Sequence, residues 1–98
     1  MEMKGFVEEV LNRLVEKFRK DQPNNPVWSK IQNVNSDGTV IEARIDFGVG
    51  TPCDLLFVQE NDGYVLIFEY KDGGWSEIGE YNLEDEDESE RAVDEIYY

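Results

Sequence analysis

The sequence contains no histidine and only one cysteine, Cys53. Without histidine the chain lacks the commonest general base and the commonest transition-metal ligand, so Ser-His-Asp and Cys-His catalytic sites are excluded. A lone cysteine cannot form a disulfide within the chain, which favours a reducing compartment, and we predict a cytoplasmic protein. The neighbouring Asp54 disfavours a reactive thiolate. We therefore expect a protein that is not an enzyme and that has no catalytic, cofactor or metal site.

Long apolar runs are also missing. No stretch approaches the roughly 20 apolar residues of a membrane-spanning helix, and residues 1–20 lack the apolar block and cleavage site of a signal peptide. Apolar residues nevertheless make up 40% of the chain and aromatic residues 12%, which argues against disorder. A length of 98 residues is enough for one domain with a single core.

Basic residues are scarce in the second part of the chain. Residues 1–36 carry six basic and five acidic side chains, a net charge of +1, whereas residues 37–98 carry three basic and eighteen acidic ones, a net charge of −15. A surface this acidic repels nucleic acid and anionic membranes and attracts basic surfaces. We therefore expect a basic protein partner, no direct nucleic-acid binding and no membrane binding.

Apolar residues at helical spacing predict an amphipathic helix over about residues 3–20, ended by Asp21-Gln22-Pro23. The stripe consists of Phe6, Val7, Val10, Leu11, Leu14, Val15 and Phe18.

Between about residues 28 and 81, short apolar-rich segments alternate with turn residues, which predicts an antiparallel meander sheet. Residues 24–35 allow two interpretations. Asn25-Pro26 can start a short helical turn, or residues 28–35 can form a strand that leads into a turn at 36–38, and such a turn usually joins paired strands. The strongly apolar segment 53–60 predicts a central strand covered on both faces. The other predicted strands are 39–47, 64–71 and 75–81, and the predicted connections are 48–52, 61–63 and 72–74.

The acidic run at residues 84–90 precedes a short apolar stripe that predicts a C-terminal helix, because carboxylates favour a helix N-terminus. Asp85, Asp87 and Ser89 alternate as at the start of an EF-hand loop, but Glu90 occupies the position that requires glycine. A solvated helix cap is the better interpretation. The predicted fold is α+β in one domain: an N-terminal helix packed on four or five antiparallel strands, then an acidic linker and helix at about 84–98.

Single carboxylates alternate with apolar and aromatic residues along the predicted strands, at Glu42, Asp46, Glu60, Glu69, Glu77 and Glu80. Such a surface can be merely soluble. It also has the composition of an interface for a basic partner, in which aromatic rings contribute affinity and carboxylates steer association. The predicted partner-binding residues are Glu69, Trp75, Glu77, Glu80, Tyr81, Asp85 and Asp87.

In size, acidity, helix–meander–helix order and the mixture of acids and aromatics over residues 42–90, the chain resembles the small acidic immunity proteins that bacteria make against nuclease toxins. The resemblance implies a non-enzymatic cytoplasmic inhibitor, a monomer or weak homodimer, that occludes a basic nuclease. Phage-encoded nucleic-acid mimics, such as anti-restriction and anti-CRISPR proteins, share this character. A third hypothesis is an adaptor domain that dimerises through an open sheet face or the C-terminal apolar stripe, Ile96-Tyr97-Tyr98.

Overall fold

A computed structural model describes residues 2–48, 52–61 and 63–97. The chain forms helix α1 (Met3–Asp21), strands β1 (Trp28–Val34), β2 (Val40–Asp46), β3 (Cys53–Asn61), β4 (Tyr64–Lys71) and β5 (Gly74–Asn82), and helix α2 (Glu86–Tyr97). This order confirms the predicted α+β fold, and β1 confirms the strand interpretation of residues 28–35. Parts of two predicted connections, residues 49–51 and Asp62, lie outside the described residues, as does Tyr98.

The five strands form one antiparallel sheet in the order β1-β2-β3-β4-β5, which confirms the meander. The turn between β4 and β5 places Asp72 at φ 54° and Gly73 at φ 86°. Positive φ at both central residues matches the right-handed twist of a two-residue hairpin. Each edge strand has one unpaired residue in its ladder, Gln32 in β1 and Ile78 in β5, which twists an edge and discourages pairing with other chains.

Both helices contribute to one core on a single face of the sheet. Val7, Val10 and Leu14 of α1 are fully buried, and Phe6 is only partly buried. The side of α1 that faces the sheet is therefore centred on Val7, Val10 and Leu14, with Phe6 at its edge. The fully buried strand residues alternate along the chain, as side chains with a period of two require. They are Ile41, Ala43, Ile45, Leu55, Phe57, Val65 and Ile67.

Strand β3 is central, as predicted, but the helices cover only one of its faces. Leu55 and Phe57 have no exposed surface, whereas Leu56 and Val58 on the opposite face are half-buried. The prediction of cover on both faces was wrong because the outward residues of β3 belong to an apolar strip that stays on the surface. Within the described residues, no helix is long and apolar enough to cross a membrane.

The acidic run forms the first turn of α2 and the residues before it. The Asp85 carboxylate accepts hydrogen bonds from the backbone N–H groups of Asp87 at 2.9 Å and Glu88 at 3.3 Å, which satisfies donors that a helix start leaves free. The Glu88 side chain accepts a further bond from the backbone N–H of Asn82 at 3.2 Å. These bonds confirm the helix-cap interpretation of the run.

Candidate functional site

The sheet face opposite the helices, the open face, is the candidate functional site. Strand register fixes its membership, since directly opposed residues of an antiparallel pair point to the same side. Its side chains come from all five strands: Trp28, Lys30, Asn33, Val40, Glu42, Arg44, Asp46, Asp54, Leu56, Val58, Tyr64, Leu66, Phe68, Tyr70, Trp75, Glu77, Glu80 and Asn82.

An apolar strip crosses the middle of the open face. Val40 lies opposite Val58, which lies opposite Leu66, and Leu56 lies opposite Phe68. All five residues are half-buried by one another and by their neighbours along the strands. Apolar surface that is contiguous and rimmed by polar residues is typical of an interaction site, whereas single exposed apolar residues are ordinary.

Two aromatic rings lie at the β4–β5 end of this strip. Tyr70 is opposite Trp75 in the register, next to the Asp72-Gly73 turn. Their ring centroids are 5.4 Å apart at an interplanar angle of 81°, the edge-to-face arrangement that aromatic quadrupoles favour. Tyr70 is 52% exposed and Trp75 is 40% exposed. The pair supports the hairpin and leaves much of both rings available to a partner.

The outward carboxylates of β5 are Glu77, opposite Phe68, and Glu80, opposite Leu66. Both side chains are exposed. Within the described part of the chain, neither forms an ion pair with a cationic side chain. They are therefore free to attract a cation from another molecule.

The β1–β2 half of the open face differs because its Arg44 forms an ion pair with Asp54 of the neighbouring strand. Arg44 donates two hydrogen bonds to Asp54, at 2.7 Å and 3.1 Å, and Gln32 also donates to Asp54 at 3.2 Å. The Arg44 guanidinium lowers the pKa of the Asp54 carboxyl. The two basic side chains of the open face, Lys30 and Arg44, both lie in this half, so among the described residues the β3–β5 half has carboxylates and no cation.

The seven residues predicted to bind a partner do not form one surface. Trp75, Glu77 and Glu80 lie together on the open face. Glu69 lies opposite Leu55 in the register and therefore points to the helix side, because the outward positions of β4 are the even-numbered ones.

Tyr81 is a core residue, so its prediction as a partner-binding anchor was wrong. It is 1% exposed, its hydroxyl donates to the Glu95 carboxylate of α2, and the Arg91 guanidinium lies 5.2 Å from its ring centroid. Burial, together with Glu95, raises the pKa of Tyr81 above its usual range. The physical reason for the error is the extra residue Ile78, which reverses the alternation of β5 so that Trp75 and Glu77 point outward and Tyr81 inward.

Asp85 and Asp87 lie at the start of α2, on the helix side of the sheet. Asp85 is committed to capping, and Asp87 is exposed in the first turn. Sequence reasoning left Tyr70, Phe68 and Leu66 out of the site. Their alternation along β4 was readable, but the predicted connection 72–74 is one residue longer than the observed turn at Asp72-Gly73, so it did not place Tyr70 opposite Trp75.

The helix side offers a different kind of surface. A groove of about 490 Å³ runs between α1 and α2, lined by basic and acidic side chains together. Arg13 lies 3.6 Å from Glu86 and Lys17 pairs with Asp94, so two cations of the groove are paired with carboxylates across it. Cys53 is half-buried, and burial raises the pKa of its thiol. Within the described residues, no group of three His, Cys, Asp or Glu side chains is arranged to hold a metal ion.

The open face therefore combines exposed aromatic rings, a contiguous apolar strip and the unpaired carboxylates Glu77 and Glu80, whereas the helix side combines a closed core with ion pairs between α1 and α2. Comparison with protein-family models, with curated proteins and with solved structures finds no match to this chain.

Proposed function

We propose that the protein is a non-enzymatic inhibitor that binds a basic protein through its open face and serves as an immunity protein against a nuclease toxin. The observation that carries the proposal is the position of Glu77 and Glu80, exposed and without an ion pair in the described chain, beside the apolar strip and the Tyr70–Trp75 pair. Apolar and aromatic surface contributes affinity when it is desolvated, and the carboxylates select a partner of opposite charge.

The mechanism would be occlusion of the nuclease active site. A nuclease binds substrate phosphates with cationic side chains, and the carboxylates of the β3–β5 half offer the same sign of charge in their place. The net charge of −14 steers such a partner toward the protein, which raises the association rate at low salt. The carboxylates at the rim mainly raise the association rate, and the aromatic rings mainly lower the dissociation rate.

Charge also argues for a partner other than a second copy of the chain. Face-to-face dimerisation would bring together the carboxylates of both open faces, where each copy offers Lys30 and Arg44 as cations, and Arg44 is already bound to Asp54. The other dimerisation surface of the adaptor hypothesis is used within the chain. Ile96 and Tyr97 pack against the core, and the Tyr97 hydroxyl donates to Asp21.

The test is inhibition of the nuclease encoded next to this gene, by the wild-type chain and by two charge-matched variants. Glu77→Lys/Glu80→Lys reverses the charge of the open face. Glu8→Lys/Glu16→Lys reverses two exposed carboxylates of α1 on the helix side. Each Glu→Lys change adds two positive charges, so both variants move the net charge from −14 to −10.

We expect stoichiometric inhibition by the wild type and an association rate that falls steeply with added salt. The open-face variant should lose inhibition by at least about a hundredfold, as expected when unlike charges become like charges at an interface, and the α1 variant should inhibit nearly as the wild type does. Equal effects of the two variants would contradict binding through the open face. Inhibition of a host restriction or CRISPR nuclease, with an inert gene neighbour, would replace the immunity role with that of a phage-type mimic.

A further inference from the structure

The Tyr70–Trp75 pair is exposed, as is Tyr64 on the same face, and it differs from the rings of Trp28, Tyr81 and Tyr97 in what faces it. Three other rings have a cation from the chain itself. The Lys30 ammonium lies 5.8 Å from the Trp28 ring centroid, the Arg91 guanidinium lies 5.2 Å from that of Tyr81, and the Lys17 ammonium lies 5.2 Å from that of Tyr97. Among the described residues, no cation lies over Tyr70 or Trp75.

Both rings of the pair are nonetheless more than a third exposed, and carboxylates flank them on the same face. Glu77 follows Trp75 by two residues, which puts the two side chains on one side of β5 and roughly 7 Å apart along the strand. The register confirms this, since Trp75 lies opposite Tyr70 and Glu77 lies opposite the next outward residue of β4, Phe68. The end of the β4–β5 hairpin thus presents ring surface and a free carboxylate side by side.

Such a site suits one cation better than another. A guanidinium is planar, stacks on aromatic rings and donates two parallel hydrogen bonds to a carboxylate, whereas an ammonium is a compact and strongly hydrated charge. Rings and a carboxylate at adjacent positions along one strand match the guanidinium on both counts. An apolar side chain could cover the rings, but it would leave the Glu77 carboxylate without a counter-charge at the rim.

We propose that the Tyr70–Trp75 pair and Glu77 form a receptor for an arginine side chain of the partner, and that this arginine anchors the basic protein at the β4–β5 end of the open face. The inference rests on the proposed function, because it specifies which basic group the open face recognises. It also fixes an orientation, with the arginine of the partner over β4–β5 and its less basic surface over Lys30 and Arg44 in β1–β2.

The test uses short peptides in place of the unidentified partner. The probes are a peptide that alternates glycine and arginine, the same peptide with lysine, and the same peptide with citrulline, which keeps the shape of arginine without its charge. The protein carries Trp28→Phe so that Trp75 is its only tryptophan. Binding is followed at low ionic strength by Trp75 fluorescence and by the amide chemical shifts of the open face.

We expect the arginine peptide to bind roughly three- to fivefold more tightly than the lysine peptide, the advantage of stacking at an exposed site. The citrulline peptide should not bind, and the largest shifts should lie in residues 68–80. Glu77→Gln should weaken arginine binding and keep the hairpin, while the matched change Glu8→Gln on α1 should leave it unchanged. Trp75→Leu should remove the preference for arginine over lysine.

Equal affinity for the arginine and lysine peptides, or an arginine preference that survives both Trp75→Leu and Glu77→Gln, would overturn the arginine receptor. In that case inhibition by the wild type and its loss in Glu77→Lys/Glu80→Lys would still support the proposed function. The opposite result is also distinguishable. If the arginine preference depends on Trp75 and Glu77 but the open-face variant still inhibits the nuclease, the proposed function is refuted and the arginine receptor is supported.

Discussion

The two faces of the sheet use the same residue types in opposite ways. On the helix side, acidic side chains of α2 meet cations, as Asp94 meets Lys17 and Glu86 meets Arg13 at 3.6 Å, and the aromatic ring of Tyr81 is buried beneath Arg91. On the open face, Glu77 and Glu80 have no cation in the described chain, and the rings of Tyr70 and Trp75 are exposed. What distinguishes the open face is therefore the combination of exposed aromatic rings with neighbouring carboxylates that have no ion pair in the described chain.

The basic and acidic parts of the sequence lie next to each other in the folded protein. The N-terminal third carries a net charge of +1 and contains α1, yet α1 packs beside α2, the most acidic element. The cations of α1 therefore neutralise part of the C-terminal run, the feature most conspicuous in the sequence. Glu77 and Glu80 on β5 are among the carboxylates without an ion pair in the described chain, as are Glu8 and Glu90 on the helix side.

The largest expected difference between the two faces of the sheet comes from removing one phenylalanine from each. Phe57 on β3 is fully buried on the helix side, and Phe68 on β4 is half-buried on the open face. Phe57→Ala should lower the free energy of unfolding by about 3–5 kcal/mol because it leaves a cavity in the core. Phe68→Ala should lower it by only about 1 kcal/mol, because less area returns to water. Urea titrations measure both values, and similar losses would show that the open face is covered.

A second test concerns Gly79, whose missing side chain leaves room for the inward ring of Tyr81. A Cβ added at Gly79 would lie 2.7 Å from the Tyr81 hydroxyl oxygen and 3.0 Å from the ring carbon that bears it, whereas one at Gly74 of the same strand would meet no atom within 4 Å. Gly79→Ala should therefore cost about 1–3 kcal/mol of unfolding free energy as the ring is displaced, and Gly74→Ala should be nearly neutral. Thermal unfolding of the two variants measures the difference. A tolerated Gly79→Ala would contradict the inward position of Tyr81.

The same strand shows how far sequence reasoning reaches. Turn residues and apolar segments located β2 to β5 and favoured a strand for β1, and period-two alternation assigned the faces of β2 correctly, with Ile41, Ala43 and Ile45 buried. It failed in β5 because the extra residue Ile78 has no mark in the sequence, and one such residue moves all later side chains to the other face. Trp75, Glu77 and Glu80 were placed in the site, while Tyr81 was misassigned. The packing of the N-terminal helix on one face of the sheet was predicted and is confirmed, whereas the cover predicted for both faces of residues 53–60 was wrong because an apolar run alone does not show how many of its faces are covered.

A third and smaller test separates the two aspartates at the start of α2. Asp85→Ala removes the carboxylate that accepts from two backbone N–H groups and should cost about 1 kcal/mol of unfolding free energy. Asp87→Ala removes an exposed carboxylate without a capping bond to a backbone N–H and should cost only a few tenths of a kcal/mol. Chemical denaturation measures these losses. Neither change should alter inhibition of a nuclease bound at the open face, and a loss of inhibition in either variant would extend the interface to α2.

The smallest expected effect is on the pKa of Asp54, the carboxylate of the open face that is paired with an arginine. The hydrogen bonds from Arg44 lower the pKa of the Asp54 carboxyl. A carboxyl whose pKa is lower in the folded chain contributes stability above its unfolded pKa of about 3.9, and that contribution is lost as the pH falls through the folded pKa. A carbon-detected NMR titration should therefore find Asp54 still ionised at a pH where an ordinary aspartate is half protonated.

The matched change Arg44→Gln should raise the pKa of Asp54 toward its ordinary value and flatten the acid side of the stability profile, while Lys30→Gln should leave both nearly unchanged. If Asp54 titrated normally in the wild type, Arg44 would be available to a partner, and the β1–β2 half would no longer be the paired half of the open face. If the pKa of Asp54 is instead low in the wild type and returns to its ordinary value in Arg44→Gln, the Arg44–Asp54 pair is formed in solution. Glu77 and Glu80 on β5 are then the carboxylates of the open face for which a partner must supply the cations.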